Sequence, residues 1–142
     1  MIYEIIATGF YLGRLPAPGT VGTILGAGVA YLVSFNLWTV VVAGAVLFLL
    51  GLISTAEVIR RRKDPDPEDV IIDEVVGFLA CFLLVEFTLK TLIGAFVLFR
   101  VIDIFKPFPV NLFERIPGAT GVMADDLAAG ILTSFLLFLL LE

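Results

Sequence analysis

Four polar clusters interrupt an otherwise apolar chain: Asp73 with Glu74, Arg100 with Asp103 and Lys106, Asp125 with Asp126, and a Pro/Gly/Thr turn carrying Thr20. The first lies within VIIDEVVGFL, a run apolar enough to enter a bilayer. An acid inside such a helix costs about 2.5–3.5 kcal/mol on insertion scales, so an adjacent pair there points to a functional site. Carboxylates gathered at one depth repel each other unless a cation lies between them. With no histidine and a single cysteine, Cys81, the chain offers oxygen ligands. These suit Mg²⁺, Mn²⁺ or Ca²⁺ and argue against zinc or copper. Mg²⁺ fits best, because it takes one or two protein carboxylates and leaves its other positions to water and a substrate phosphate. The candidate ligands are Asp73, Glu74, Asp103, Asp125 and Asp126. Neighbours on a helix point about 100° apart, so one member of each adjacent pair is expected to ligate and the other to support it.

Arg100, Asp103 and Lys106 follow one another at i, i+3 spacing, a cation, acid, cation ladder on one helix face. Arg can clamp phosphate oxygens in pairs and Lys can offset charge on a leaving oxygen. The plainer reading is that both cations snorkel and neutralise Asp103. Asp125 and Asp126 fall in the first turn of an expected helix, where acids favour the dipole, so capping competes with metal ligation. For Asp73 and Glu74 the competing reading is a helix that starts later and leaves both in headgroup water. Thr20 caps a helix in this reading, and the Pro18, Gly19, Thr20 turn would present N–H groups to an anion. It lacks the Gly-Lys-Ser/Thr ending of a nucleotide P-loop. Without histidine there is no phosphohistidine route, and Cys81 reads as packing. The acids at 64–69 read as a solvated loop.

The elements that must position these groups are membrane helices. Hydrophobic residues make up 60% of the 142 residues and mean hydropathy is +1.09, outside the usual range for a soluble domain. A single membrane-embedded domain over 1–142 is expected, all-α, with an interfacial segment at 2–10. About five spans follow, near 20–35, 39–56, 70–85, 89–105 and 122–141. The third and fourth reach only roughly 25 Å at 1.5 Å per residue, slightly short of the hydrocarbon core. The start lacks a basic region and cleavage site, so no cleaved leader is expected. Arg60, Arg61, Arg62 and Lys63 belong in the cytoplasm by the positive-inside rule, which leaves only Lys90 of the 9 Lys and Arg residues outside. All four polar clusters then fall at cytoplasmic helix ends. No nucleic-acid partner is expected, and oligomeric state is left open.

The motifs LPAPGTVGT (15–23), VIIDEVVGF (70–78), FRVIDIFKPFPV (99–110) and TGVMADDLAAG (120–130) together make the chain resemble the phosphatidylglycerophosphatase A family of bacterial membrane phosphatases. The resemblance implies Mg²⁺-dependent hydrolysis of the terminal phosphomonoester of the phospholipid phosphatidylglycerophosphate, at the cytoplasmic face of the bacterial inner membrane. It carries site roles onto Asp73, Glu74, Arg100, Asp103, Lys106, Asp125, Asp126 and Thr20. A metal-activated water and a covalent aspartyl phosphate both remain open as nucleophiles. The rival reading is an ion- or proton-coupled transporter, which would carry polar groups through the middle of its spans.

Overall fold

The computed structural model describes residues 1–141. Every regular element among them is helical: α1 (Ile2–Ala7), a 3₁₀ turn (Leu12–Arg14), α2 (Pro18–Val33), α3 (Leu37–Arg62), α4 (Ile72–Ala80), α5 (Leu89–Phe105), α6 (Val110–Phe113) and α7 (Gly118–Leu141). Local chemistry sets several of these boundaries. Asn36 accepts the Thr39 N–H at 3.0 Å while Thr39 answers the Asn36 N–H, a reciprocal cap that starts α3. Thr88 and Thr91 do the same for α5. Lys63 and Lys106 end α3 and α5 in the left-handed region, at φ 56° and 47°.

Five traversing segments were expected to span; two helices have the length and composition to do so, α3 with 26 residues and α7 with 24. Helices α2 and α5 stop at 16 and 17 residues. The third expected span is a nine-residue helix, α4, whose backbone tightens into i→i−3 bonds at Cys81, Phe82 and Leu83. Hydropathy could not show this shortening, because α4 is the buried centre of the bundle. It packs against α2, α3 and α7, and every residue of it except Glu74 is buried.

The exterior is inverted relative to a soluble bundle. Val42, Val46, Leu49 and Ile53 on α3, Ile93 and Val97 on α5, and Ile131, Phe135 and Phe138 on α7 are exposed at helical spacing. Such stripes are polar on a helix that faces water, and apolar surface of this extent suits lipid.

Helices in lipid gain little from burying apolar groups, so close packing through small residues holds them together. A Cβ on Gly22 would stand 2.9 Å from the Glu74 Cβ, and one on Gly26 equally close to the Phe78 Cβ, so α2 lies directly on α4. On the opposite side, a Cβ on Gly130 of α7 would stand 1.9 Å from the Gly77 carbonyl oxygen. That oxygen is backbone and cannot swing aside. Gly130→Ala is therefore expected to lower stability by about 1–3 kcal/mol or more, through forced separation of α4 and α7. Unfolding in detergent checks this, and an unchanged midpoint would show that the seam tolerates a methyl group.

Helix α1 packs on α3, and the Ala7 carbonyl accepts the Ile71 N–H at 2.9 Å, which fixes the entry to α4. The loop before it is not simply solvated. Arg62 donates to Asp69 at 2.6 Å and to Glu4 at 3.1 Å, and Arg14 reaches the same two acids at 3.4 and 3.3 Å. Burial works to raise the Asp69 pKa, but the hydrogen bonds from Arg62 and Arg14 hold it below the usual carboxylate range.

Candidate active site

Three helices deliver the polar groups to one place. Asp73 and Glu74 occupy the first turn of α4, where the exposed N–H groups favour negative charge. Asp125 and Asp126 come from α7, but not from its first turn as expected. The helix begins at Gly118 rather than near Val122, so both acids lie two turns inside it and capping does not explain them. Arg100 and Asp103 sit in the last two turns of α5, and Lys106 is its C-cap.

One carboxylate oxygen from each of Asp73, Glu74 and Asp126 lies within 4.8 Å of the other two. Asp73 is 8% exposed and Asp126 3%. Asp73 Oδ1, Glu74 Oε2 and Asp126 Oδ2 are buried without a hydrogen-bond partner. Buried carboxylate oxygens are normally paired or bound to metal, and three acids that converge and each keep an unpartnered oxygen fit a hard divalent cation. Asp73 and Glu74 each contribute an oxygen to this group, where the sequence predicts one ligand and one supporting residue.

The remaining two acids are matched by cations. Arg100 Nη1 donates to Asp103 Oδ2 at 2.6 Å, and Lys106 Nζ donates to Asp125 Oδ2 at 2.7 Å while standing 3.8 Å from Asp103 Oδ1. Burial works against the Lys106 charge, but the hydrogen bond to Asp125 holds its pKa above the ordinary lysine value. The five acids thus divide into three unpaired and two paired, a division invisible in their spacing.

All five acids and Lys106 line a cavity of about 410 Å³. Asp66 and Glu114 line it too. Neither stands out in the sequence, because each reaches the cavity through the course of a connecting segment rather than through a motif. Thr20 and Arg100 are not on this wall. Thr20 is the third residue of α2, whose N-cap is Ala17 at φ 57°, and no side chain caps the helix. Its neighbour Gly19 abuts the Arg100 guanidinium. Beyond the acids, Phe78 packs edge to face with Phe82, Phe96 and Phe99 at centroid distances of 5.6, 6.3 and 5.8 Å. This aromatic layer belongs to the hydrophobic core of the bundle.

A family model described as "Phosphatidylglycerophosphatase A" matches residues 5–141. Among curated proteins, one named "Putative phosphatidylinositol-3-phosphatase" from Bacteroides thetaiotaomicron is 37% identical over 143 residues, covering 94% of this chain and 89% of its own. A phosphatidylglycerophosphatase A of Haemophilus influenzae is 32% identical, with 95% and 86% covered. One of Escherichia coli is 27% identical, with 96% and 81% covered. No solved structure matches.

Proposed function

The chain belongs to the phosphatidylglycerophosphatase A family, and from that membership we propose that it hydrolyses the terminal phosphomonoester of phosphatidylglycerophosphate, giving phosphatidylglycerol and phosphate. The observation that carries the reading is the trio of unpartnered carboxylates facing a cavity beside a lysine.

Asp73, Glu74 and Asp126 are the residues that would hold Mg²⁺. Bound there, the ion would supply Lewis-acid stabilisation of the phosphoryl oxygens and a lowered pKa for an attacking water. The chain's own contribution is arrangement and charge. Lys106 places a positive charge on the cavity wall, anchored by Asp125, where it can offset charge on the phosphoryl group and leaving oxygen. Asp103 and Arg100 form a neutral pair behind it, so Lys106 is not drawn fully away from the cavity. Water and carboxylate nucleophiles both fit this arrangement.

The site is read as cytoplasmic. Arg60, Arg61, Arg62 and Lys63 close α3 at the end where Asp66 enters the cavity, and Arg14, Arg100, Lys106 and Arg115 belong to the same end. Lys90, in the first turn of α5, belongs to the opposite end. The positive-inside rule orients such a protein with its cavity toward the cytoplasm of a bacterial inner membrane. Five traversing segments, two of full length and three shorter, are read as its membrane domain.

The test is phosphate release from phosphatidylglycerophosphate in detergent micelles. Release is expected with Mg²⁺, is lost in excess EDTA, and returns when Mg²⁺ is restored. The B. thetaiotaomicron relative makes phosphatidylinositol 3-phosphate the second substrate to compare. Faster release from it would move the assignment to the inositol lipid, and none from either, by folded protein, would end the phosphatase reading.

A further inference from the structure

Six of the thirteen glycines have a reason in rigid backbone or Cβ neighbours, but Gly19 does not. Gly22, Gly26 and Gly130 face backbone or Cβ atoms of α4. The three atoms nearest a Cβ on Gly19 all belong to one group: Arg100 Nη1 at 2.8 Å, Nη2 at 2.9 Å and Cζ at 3.2 Å. Nor does the backbone require glycine, since Gly19 is not among the residues with positive φ. Glycine in a helix is unfavourable relative to alanine, so the missing methyl group at this position serves the guanidinium.

We infer that Gly19 is a positioning residue for the phosphatase site, a reading that rests on the function proposed above. It lets the Nη1–Nη2 edge of the Arg100 guanidinium come against the first turn of α2 while Nη1 donates to Asp103. The distances show what depends on this. With Arg100 bonded to Asp103 at 2.6 Å, Lys106 is free to bond Asp125 at 2.7 Å and stays 3.8 Å from Asp103. Pushing the guanidinium off α2 leaves Asp103 unneutralised, and it then competes for Lys106, the cation on the cavity wall. The Thr23 hydroxyl donates to the Gly19 carbonyl at 2.8 Å, so the backbone at this point is held and the Arg side chain is what yields.

The experiment is a double-mutant cycle of Gly19→Ala with Arg100→Lys, with Gly28→Ala as control, because a Cβ on Gly28 meets nothing within 4 Å. Gly19→Ala is expected to keep the wild-type unfolding midpoint and lower kcat roughly tenfold, the loss of one charge-assisted hydrogen bond, with KM little changed. In the Arg100→Lys background the same change should have no further effect, since the slender ammonium does not fill the space over position 19. Gly28→Ala should behave as wild type. A readout that needs no turnover is the ¹⁵N spectrum of the Arg100 guanidinium. Separate Nη signals from a held group are expected in the wild type and a single averaged signal in Gly19→Ala. Wild-type kcat in Gly19→Ala, an equal loss in the Arg100→Lys background, or an unchanged guanidinium spectrum would each overturn the inference. The spectrum does so whether or not the lipid is the substrate.

Discussion

Asp126→Asn and Asp73→Asn are each expected to lower phosphate release by a hundredfold or more while leaving the metal-free protein as stable as the wild type, or more so. The two effects share one cause. Each acid supplies an oxygen to the trio within 4.8 Å, and each has a buried oxygen with no partner. Losing one ligand from a site that supplies several kcal/mol of transition-state charge stabilisation costs roughly tenfold for every 1.4 kcal/mol. Without metal the same acids only repel one another, and a neutral amide of equal size relieves that repulsion. Release rates and unfolding midpoints in EDTA check both halves. An Asn variant with more than about a tenth of wild-type activity would remove that acid from the site. A variant that unfolds far below wild type would show a structural role instead.

Lys106→Met is expected to fail in the opposite way, losing activity and stability together. Seven carboxylates line the cavity, and Lys106 with Arg100 are the cations bonded among them. Removing the lysine leaves Asp125 without its 2.7 Å partner and the cavity one charge more negative. Breaking a buried pair costs about 3–5 kcal/mol; with Lys106 24% exposed, solvent screening brings this to roughly 1–3 kcal/mol. The expected fall in kcat is about 10²–10³, the scale for removing one transition-state donor. Lys106→Arg should restore the unfolding midpoint but not the full rate, because a planar fork cannot reproduce a point charge held at one distance. Unchanged kcat in Lys106→Met would take the lysine out of the reaction.

The chemistry-bearing residues were legible because charge inside apolar sequence is conspicuous. Asp73, Glu74, Asp103, Lys106, Asp125 and Asp126 all reach one cavity. What could not be read was their division of labour. Whether Asp125 or Asp126 pairs with a cation depends on the rotation of α7, and its start at Gly118 lies four residues before the point where hydropathy rises. The length of α4 was hidden for a related reason. A short helix buried on all sides and a long helix facing lipid are equally apolar, so hydropathy cannot tell them apart. The ties among Glu4, Arg14, Arg62 and Asp69 join residues up to 58 positions apart, and no local pattern announces them. Asp66 and Glu114 belong to connecting segments whose paths are set by the helices they join.

The Gly77–Gly130 contact places the unpaired acids on the two helices least able to slide past each other. Such a contact has no side chain to change rotamer, so relative motion of α4 and α7 requires their backbones to part. The carboxylate trio is thus carried by a seam that resists sliding, and it stands assembled before a headgroup arrives.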